Sequence, residues 1–309
     1  MSTALVERFQ KRMVDLAKEG VFGGLRTRHR SLQTSYAHLL SLLDSPEVPI
    51  TIYGEKGSGK RRHVDELLQL HNFCRKLQNI PAGALKVFRG DFVSEGFTQL
   101  LQAPTASEAD ILYLEGIDLM NLKCQQEFLD FLKRRRHFAE KGLPLPRLVI
   151  GTERALSILV LREEFNKELF QAITGFAVFL PTLKERAEDL PHLVQVFAEE
   201  ISGKRQSPAG WFVDFVSRWD WDSNLDELKN VIKAMLARKA DMALWNTLDL
   251  PPAYQPRKQT TFTAGVTAGD AQRFRSILNR FNGDRKASAR ELGLPYADFL
   301  QQMVVLGIR

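Results

Sequence analysis

The chain has 309 residues, 44% hydrophobic and 26% charged, the balance of an ordinary globular protein and not of a disordered one. Two cysteines are too few for a disulfide scaffold or a four-thiolate zinc site, and no apolar run reaches the roughly 18 residues of a membrane span. The net charge of +6 permits a polyanionic partner without establishing one.

The N-terminus carries charge every few residues and lacks the apolar core of a signal peptide, so a cytoplasmic location is expected. Leu5, Phe9, Met13 and Leu16 stand at helical spacing and predict a helix over 2–19, closed by Gly20, Gly23 and Gly24. A basic stretch, Arg26, Arg28, His29 and Arg30, precedes a second amphipathic helix over 31–43. Pro49 to Tyr53 reads as a strand entering a glycine-rich turn, and 63–77 as the helix after it. Strands are expected at 85–88, 111–114, 148–150 and 176–180, with a helix at 122–136. Strands alternating with helices predict a mostly parallel α/β sheet. Beyond Pro181 the strands stop, and helices are expected over 190–200, 211–218 and 225–244. A linker with Pro251, Pro252 and Pro256 leads into a small helical unit at 270–309.

The sharpest motif is Gly54-Glu55-Lys56-Gly57-Ser58-Gly59-Lys60 between a strand and a helix, followed by Arg61. Such a turn lets successive backbone N–H groups face inward as an anion nest. The next helix points its positive end at the same spot, and the lysine adds a compact cation for phosphates. A nucleotide hydrolase also needs carboxylates at the end of a neighbouring strand to hold magnesium and activate water. The candidate run is Ile111-Leu-Tyr-Leu-Glu115-Gly116-Ile117-Asp118, in which only Glu115 sits where a pair belongs, as a magnesium ligand.

From residue 25 onward the chain resembles the AAA+ domain of the bacterial enhancer-binding proteins, the ATPases that activate sigma-fifty-four RNA polymerase. Residues 52–60 look like that family's GESGTGKE loop. Leu148-Val-Ile-Gly151-Thr152-Glu153-Arg154 is similar to its sensor strand. Leu180 to Pro191 resembles its Pro-Leu-Arg-Glu-Arg-x-Glu-Asp-Ile-Pro segment, and Trp219 to Asn230 its Trp-Pro-Gly-Asn-Val-Arg-Glu-Leu-Lys-Asn segment. The resemblance implies an α/β AAA+ P-loop core with a parallel sheet, a helical lid and a small C-terminal helix-turn-helix. The corresponding divisions are an N-terminal helix 1–24, an α/β subdomain 25–180, a lid 181–250, a linker 251–269 and a Fis-like unit 270–309. It also implies ATP or ADP, with or without magnesium, bound at Gly54 to Arg61, and a homo-oligomer.

The departures from that pattern fall on chemistry. The family's Asp-Glu pair is Glu115-Gly116, its sensor Asn is Glu153, and its lid arginine is Asp226. Both trans-acting arginines are missing from Phe165 to Ile173, and no GAFTGA loop stands between Asp91 and Asp110, so direct remodelling of a sigma factor is not expected. A lost general base costs ~10²–10⁴ in rate. A lost arginine finger costs ~10³–10⁵.

The C-terminal stretch resembles the family's Fis-type DNA-binding domain. Arg273, Arg275, Arg280, Arg285, Lys286 and Arg290 are candidates for phosphate contacts. The expected reading helix, Pro295 to Gln302, has no basic residue; Gln301 and Gln302 are its base-contact candidates. Residues 251–309 hold nine Lys/Arg against four Asp/Glu, so most of the net charge belongs to this end. Cys74, Cys124 and the six histidines match no metal spacing, and Lys133 to Arg136 suits the C-terminal end of a helix.

The expectation is therefore an ATP-binding transcriptional regulator that does not hydrolyse, acting through another regulator or AAA+ protein and through the DNA backbone, without a membrane. An active ATPase using Glu115 with Asp118 or Glu153 as base, and a nucleotide-free structural adaptor, are the alternatives.

Overall fold

The computed structural model describes residues 3–42, 45–90, 110–255, 268–281 and 283–292, with Tyr296, Phe299, Met303 and Ile308 beyond them. The chain forms two compact units, Met1–Ala253 and Tyr254–Arg309.

In the first unit, α1 (Thr3–Lys18) leads into a short antiparallel hairpin, β1 (Val21–Phe22) and β2 (Leu25–Arg26), and then α2 (Arg30–Ser41). The hairpin is too short to leave a periodic signal, and the glycines that read as a helix stop also turn it. Five parallel strands follow: β3 (Ile50–Tyr53), β4 (Leu85–Arg89), β5 (Ile111–Glu115), β6 (Arg147–Thr152) and β7 (Ala177–Phe179). Their order across the sheet is β4-β5-β6-β3-β7. The parallel α/β core is as the alternating pattern predicts. Ile111 to Leu114 and all of β6 are buried, which is why these strands read as unbroken apolar runs.

Helices cover both faces of the sheet. On one, α1, α2 and α3 (Lys60–Leu77) bury Phe22, Leu32, Tyr36, Val64 and Leu67 against Ile50, Ile52 and Tyr113. On the other, α4 (Leu122–Glu140), α5 (Leu156–Leu161) and α6 (Lys167–Ile173) bury Phe128, Phe131, Leu156 and Leu169 against Leu112, Leu114 and Ile150. Helices α5 and α6 went unpredicted because six or seven residues span too few turns to show a period.

The lid contains α7 (Leu190–Ser202), α8 (Gly210–Arg218) and α9 (Asn224–Arg238) around Val194, Phe197, Phe212, Val216, Leu228 and Ile232. The helix expected over 225–244 ends at Arg238. There the Lys239 backbone turns extended, and its carbonyl accepts from the Trp245 indole at 2.9 Å. Among the described residues, no helix is long and apolar enough to cross a membrane.

In the second unit, α10 (Ala268–Arg280) and α11 (Arg285–Glu291) share a core of Phe274, Leu278, Ala289, Phe299 and Met303. Asp284 caps α11, accepting from the Lys286 and Ala287 amides at 2.9 and 3.0 Å. The segment 92–109, most of the linker, Gln301, Gln302 and the side chain of Arg273 lie outside the described residues.

Candidate functional site

Strand order reverses at β3, which lies between β6 and β7 although both come later in the chain. In open parallel sheets such a reversal leaves a crevice at the carboxyl ends of the strands, where ligands bind. The Gly54–Lys60 turn leaves β3 at this point. The ends of β6 (Thr152, Glu153) and β5 (Glu115) flank it. Gly54 N donates to the Thr152 carbonyl at 3.1 Å and Gly116 N to that of Gly151 at 2.9 Å, so the three strand ends are bonded together.

Gly59 takes φ +100° and serves as N-cap of α3 with no side-chain cap, so the helix opens with its amides turned to the loop. Two residues that the motif singled out make their side-chain contacts elsewhere, and a third makes no side-chain hydrogen bond. Arg61 pairs with Asp65 at 3.0 Å, one turn along α3, and Ser58 Oγ is buried without a hydrogen-bond partner among the described residues. Glu55 accepts from Asn224 of the lid at 3.2 Å.

Lys60 is only 6% exposed and spends all three of its protons on the protein itself. Its Nζ donates to the carbonyls of Gly54 (2.8 Å) and Glu55 (3.0 Å) and to Glu153 Oε1 (3.2 Å). Asp118, considered as a catalytic base, accepts from the Glu153 amide at 3.2 Å and thereby helps to hold Glu153 in place.

The lid closes over the loop. Leu225 N donates to the Gly57 carbonyl at 3.0 Å, and Asn224 Nδ2 to the Lys56 carbonyl at 3.0 Å. Asn224 is buried in the left-handed region at φ +49°, which Asn tolerates better than most residues, and its Oδ1 accepts from Leu183 N at 2.7 Å. A Cβ placed on Gly57 would lie 2.1 Å from the Ser223 carbonyl oxygen and 3.2 Å from Asp226 Oδ2. The position where the family carries a lid arginine thus brings a carboxylate to the loop.

Arg186, 4% exposed, donates to the Ser58 carbonyl at 2.8 Å from the lid side. Asp189 accepts from Thr27 Oγ1 at 2.6 Å and Arg28 N at 2.7 Å, tying the segment after β2 to the start of the lid. Beneath them His63 is buried with Nδ1 2.8 Å from the Gly59 carbonyl and Nε2 3.0 Å from the Tyr36 hydroxyl. A carbonyl only accepts, so Nδ1 carries the proton and Tyr36 donates to Nε2. Burial pushes the His63 pKa down to about 4, with Arg186 and Arg62 adding to the push, and raises that of Tyr36.

The cleft beside the loop, between Leu25, Tyr36 and His63 on one side and His192, Phe197 and Leu225 on the other, holds about 20 Å³. That is room for roughly one water molecule. In this arrangement the protein itself saturates the lysine, and the lid covers the loop. Among the described residues, no group of three or more His, Cys, Asp or Glu is placed to hold a metal ion, and Glu115 stands half-buried at the strand end.

Of these contacts, the loop and the acids at 115, 153 and 226 were legible in the sequence. The Arg186, Asp189, Asn224 and His63 roles were missed, because each depends on segments far apart in the chain.

The α/β core with its five-stranded parallel sheet and helical lid has the fold of AAA+ ATPases. A family model described as the AAA+ ATPase lid domain matches residues 184–266. The structure of NtrX from Brucella abortus in complex with ATP superposes with TM-score 0.57 at 17% identity, covering 97% of this chain and 73% of that one. Its complex with ADP gives the same score. In sequence the chain is 27% identical to the formate hydrogenlyase transcriptional activator FhlA of Escherichia coli (strain K12), over 98% of this chain and 48% of that protein. It is 25% identical to the pathogenicity locus probable regulatory protein HrpR of Pseudomonas syringae pv. syringae, over 92% of this chain and 94% of that one. The chain spans about half the length of FhlA and of the curated relatives that follow it in similarity.

Proposed function

We propose that the protein is a transcription regulator of the sigma-fifty-four activator type that works without hydrolysing ATP. The observation that carries this reading is the head of β5. Glu115 is followed by Gly116 at φ +72°, so the position next to it offers no side chain, and Asp118 is spent on the Glu153 amide. Glu115 therefore has no acid at the position directly after it, and the next one, Asp118, is turned toward the Glu153 amide through Oδ1. ATP or ADP is the ligand class, with Glu115 as the magnesium ligand if the metal accompanies it, and entry requires the lid to lift from Gly57.

Regulation then passes through protein contacts, with a second copy, another regulator or an AAA+ protein, in the cytoplasm. The divisions at residues 24, 180, 250 and 269 serve this reading, with 270–309 as a helix-turn-helix on the DNA backbone. Arg275, Arg280, Arg285, Lys286 and Arg290 are exposed on α10 and α11. The test is phosphate release from ATP by the whole chain and by Lys60→Ala. Equal, background rates are expected; a wild-type rate that Lys60→Ala abolishes overturns the reading in favour of a working ATPase.

A further inference from the structure

We infer that Glu153 is an internal ligand of the phosphate loop, so that a nucleoside di- or triphosphate competes with the chain's own carboxylate for Lys60. The inference rests on the reading of this crevice as a nucleotide cleft and says what governs its occupancy.

An ammonium has three protons. Two of those on Lys60 go to the carbonyls at the start of the loop, Gly54 and Glu55, and these bonds hold the lysine in position. The third is the one a phosphate oxygen would take, and it goes to Glu153 Oε1 at 3.2 Å. The reach of this carboxylate is set by the sheet. Glu153 directly follows β6, Thr152 pairs with Tyr53 just before the loop, and Asp118 holds the Glu153 amide.

The two partners differ in their surroundings. Lys60 is 6% exposed and cannot find water if it loses its acid, whereas Glu153 is 46% exposed and can swing out without leaving a buried charge. The bond is therefore built to be exchanged from the acid side. Asp226 beside Gly57 adds a second negative charge facing an incoming phosphate. The loop contacts of Ser223, Asn224 and Leu225 come from the same stretch of the lid. Displacement of Glu153 and lifting of the lid are then two parts of one exchange, and nucleotide affinity is set by how firmly the chain binds itself.

The test is calorimetric titration of ADP, without metal, into the whole chain as wild type, Glu153→Gln and Glu168→Gln. Glu153→Gln keeps the size of the side chain and removes its charge. Glu168→Gln removes a more exposed acid, which bridges Lys133 away from the loop. Glu153→Gln should bind ADP at least about tenfold more tightly than wild type. Its nucleotide-free melting temperature should fall, while Glu168→Gln matches wild type in both readouts. Equal ADP affinity in Glu153→Gln and wild type, or no binding by either, overturns the inference. So does an equal gain in Glu168→Gln, which would show a general charge effect. Phosphate release fails or stands separately, since a wild type that hydrolyses ATP leaves the affinity ratio to be read as before.

Discussion

His63 lies where the loop, the first helix after it and Tyr36 of α2 meet, and burial keeps it neutral by stripping the hydration a cation would need. Its folded pKa of about 4 lies below the ordinary histidine value of 6.5 expected once the chain unfolds. Between those values the unfolded chain binds the proton and the folded chain does not. Its contribution is therefore complete above pH ~6.5 and is lost as pH falls toward 4. His71 and His192 are shifted down as well and add in the same direction. Urea unfolding at pH 7 and pH 5 should show wild type losing about 2 kcal/mol more over that interval than His63→Gln does. An equal loss in both would mean that His63 takes up its proton without unfolding. At this scale the sequence carries residue types but not partners. A histidine three residues after the loop lysine is visible in the sequence; its partners, Tyr36 and the Gly59 carbonyl, are brought together by packing.

The elements divide into those that a period reveals and those that a neighbour imposes. The long helices α3, α4, α7 and α9 were readable from apolar spacing, and β5 and β6 from unbroken apolar runs. The β1–β2 hairpin, α5 and α6 were not, since none is long enough for a periodic signal to emerge. The break after Arg238 comes from Trp245 holding the Lys239 carbonyl, a contact that no local propensity announces. The basic helices α10 and α11 carry a prediction of their own. Arg280 has Glu291 at 3.6 Å, and Lys286 lies 5.9 Å from the Tyr296 ring centre. Arg275, Arg285 and Arg290 complete the exposed basic set on these helices. If this set meets DNA phosphates, log affinity should fall linearly with log salt, and Lys286→Ala should flatten that slope by about 0.9 on any sequence tested. A slope untouched by the substitution would remove Lys286 from the contact.

The first unit joins core and lid in one compact body, and the four tryptophans report on only part of it. Trp211, Trp219, Trp221 and Trp245 all belong to the lid segment, while Leu114 is buried on β5 of the sheet. Leu114→Ala should cost ~3 kcal/mol. Its urea midpoint should fall equally whether followed by far-ultraviolet circular dichroism or by tryptophan fluorescence. A fluorescence midpoint that stays at the wild-type value would show the lid unfolding independently. The class of fold was legible because strand, loop and helix recur in order. The closure of the lid was not, because the Leu225 amide and the Asn224 side chain reach the Gly57 and Lys56 carbonyls only through the packing of segments far apart in the chain. Asp226 and Glu153 were visible as departures from a family pattern. Only the geometry shows the second of them bonded to the lysine.

The place of β3 in the sheet also sets a timetable. Tyr53 finds its neighbours at Thr152 and Phe179, about a hundred residues and more downstream. The turn that follows it is then held by Leu225, further on still. Contacts this distant form slowly and late. The glycine turn and its lysine are synthesised before β6, β7 and the lid, and their place in the sheet is fixed only once those have been made. A chain stopped before residue 180 would carry the whole motif without the lid groups, Asn224 and Leu225, that hold it.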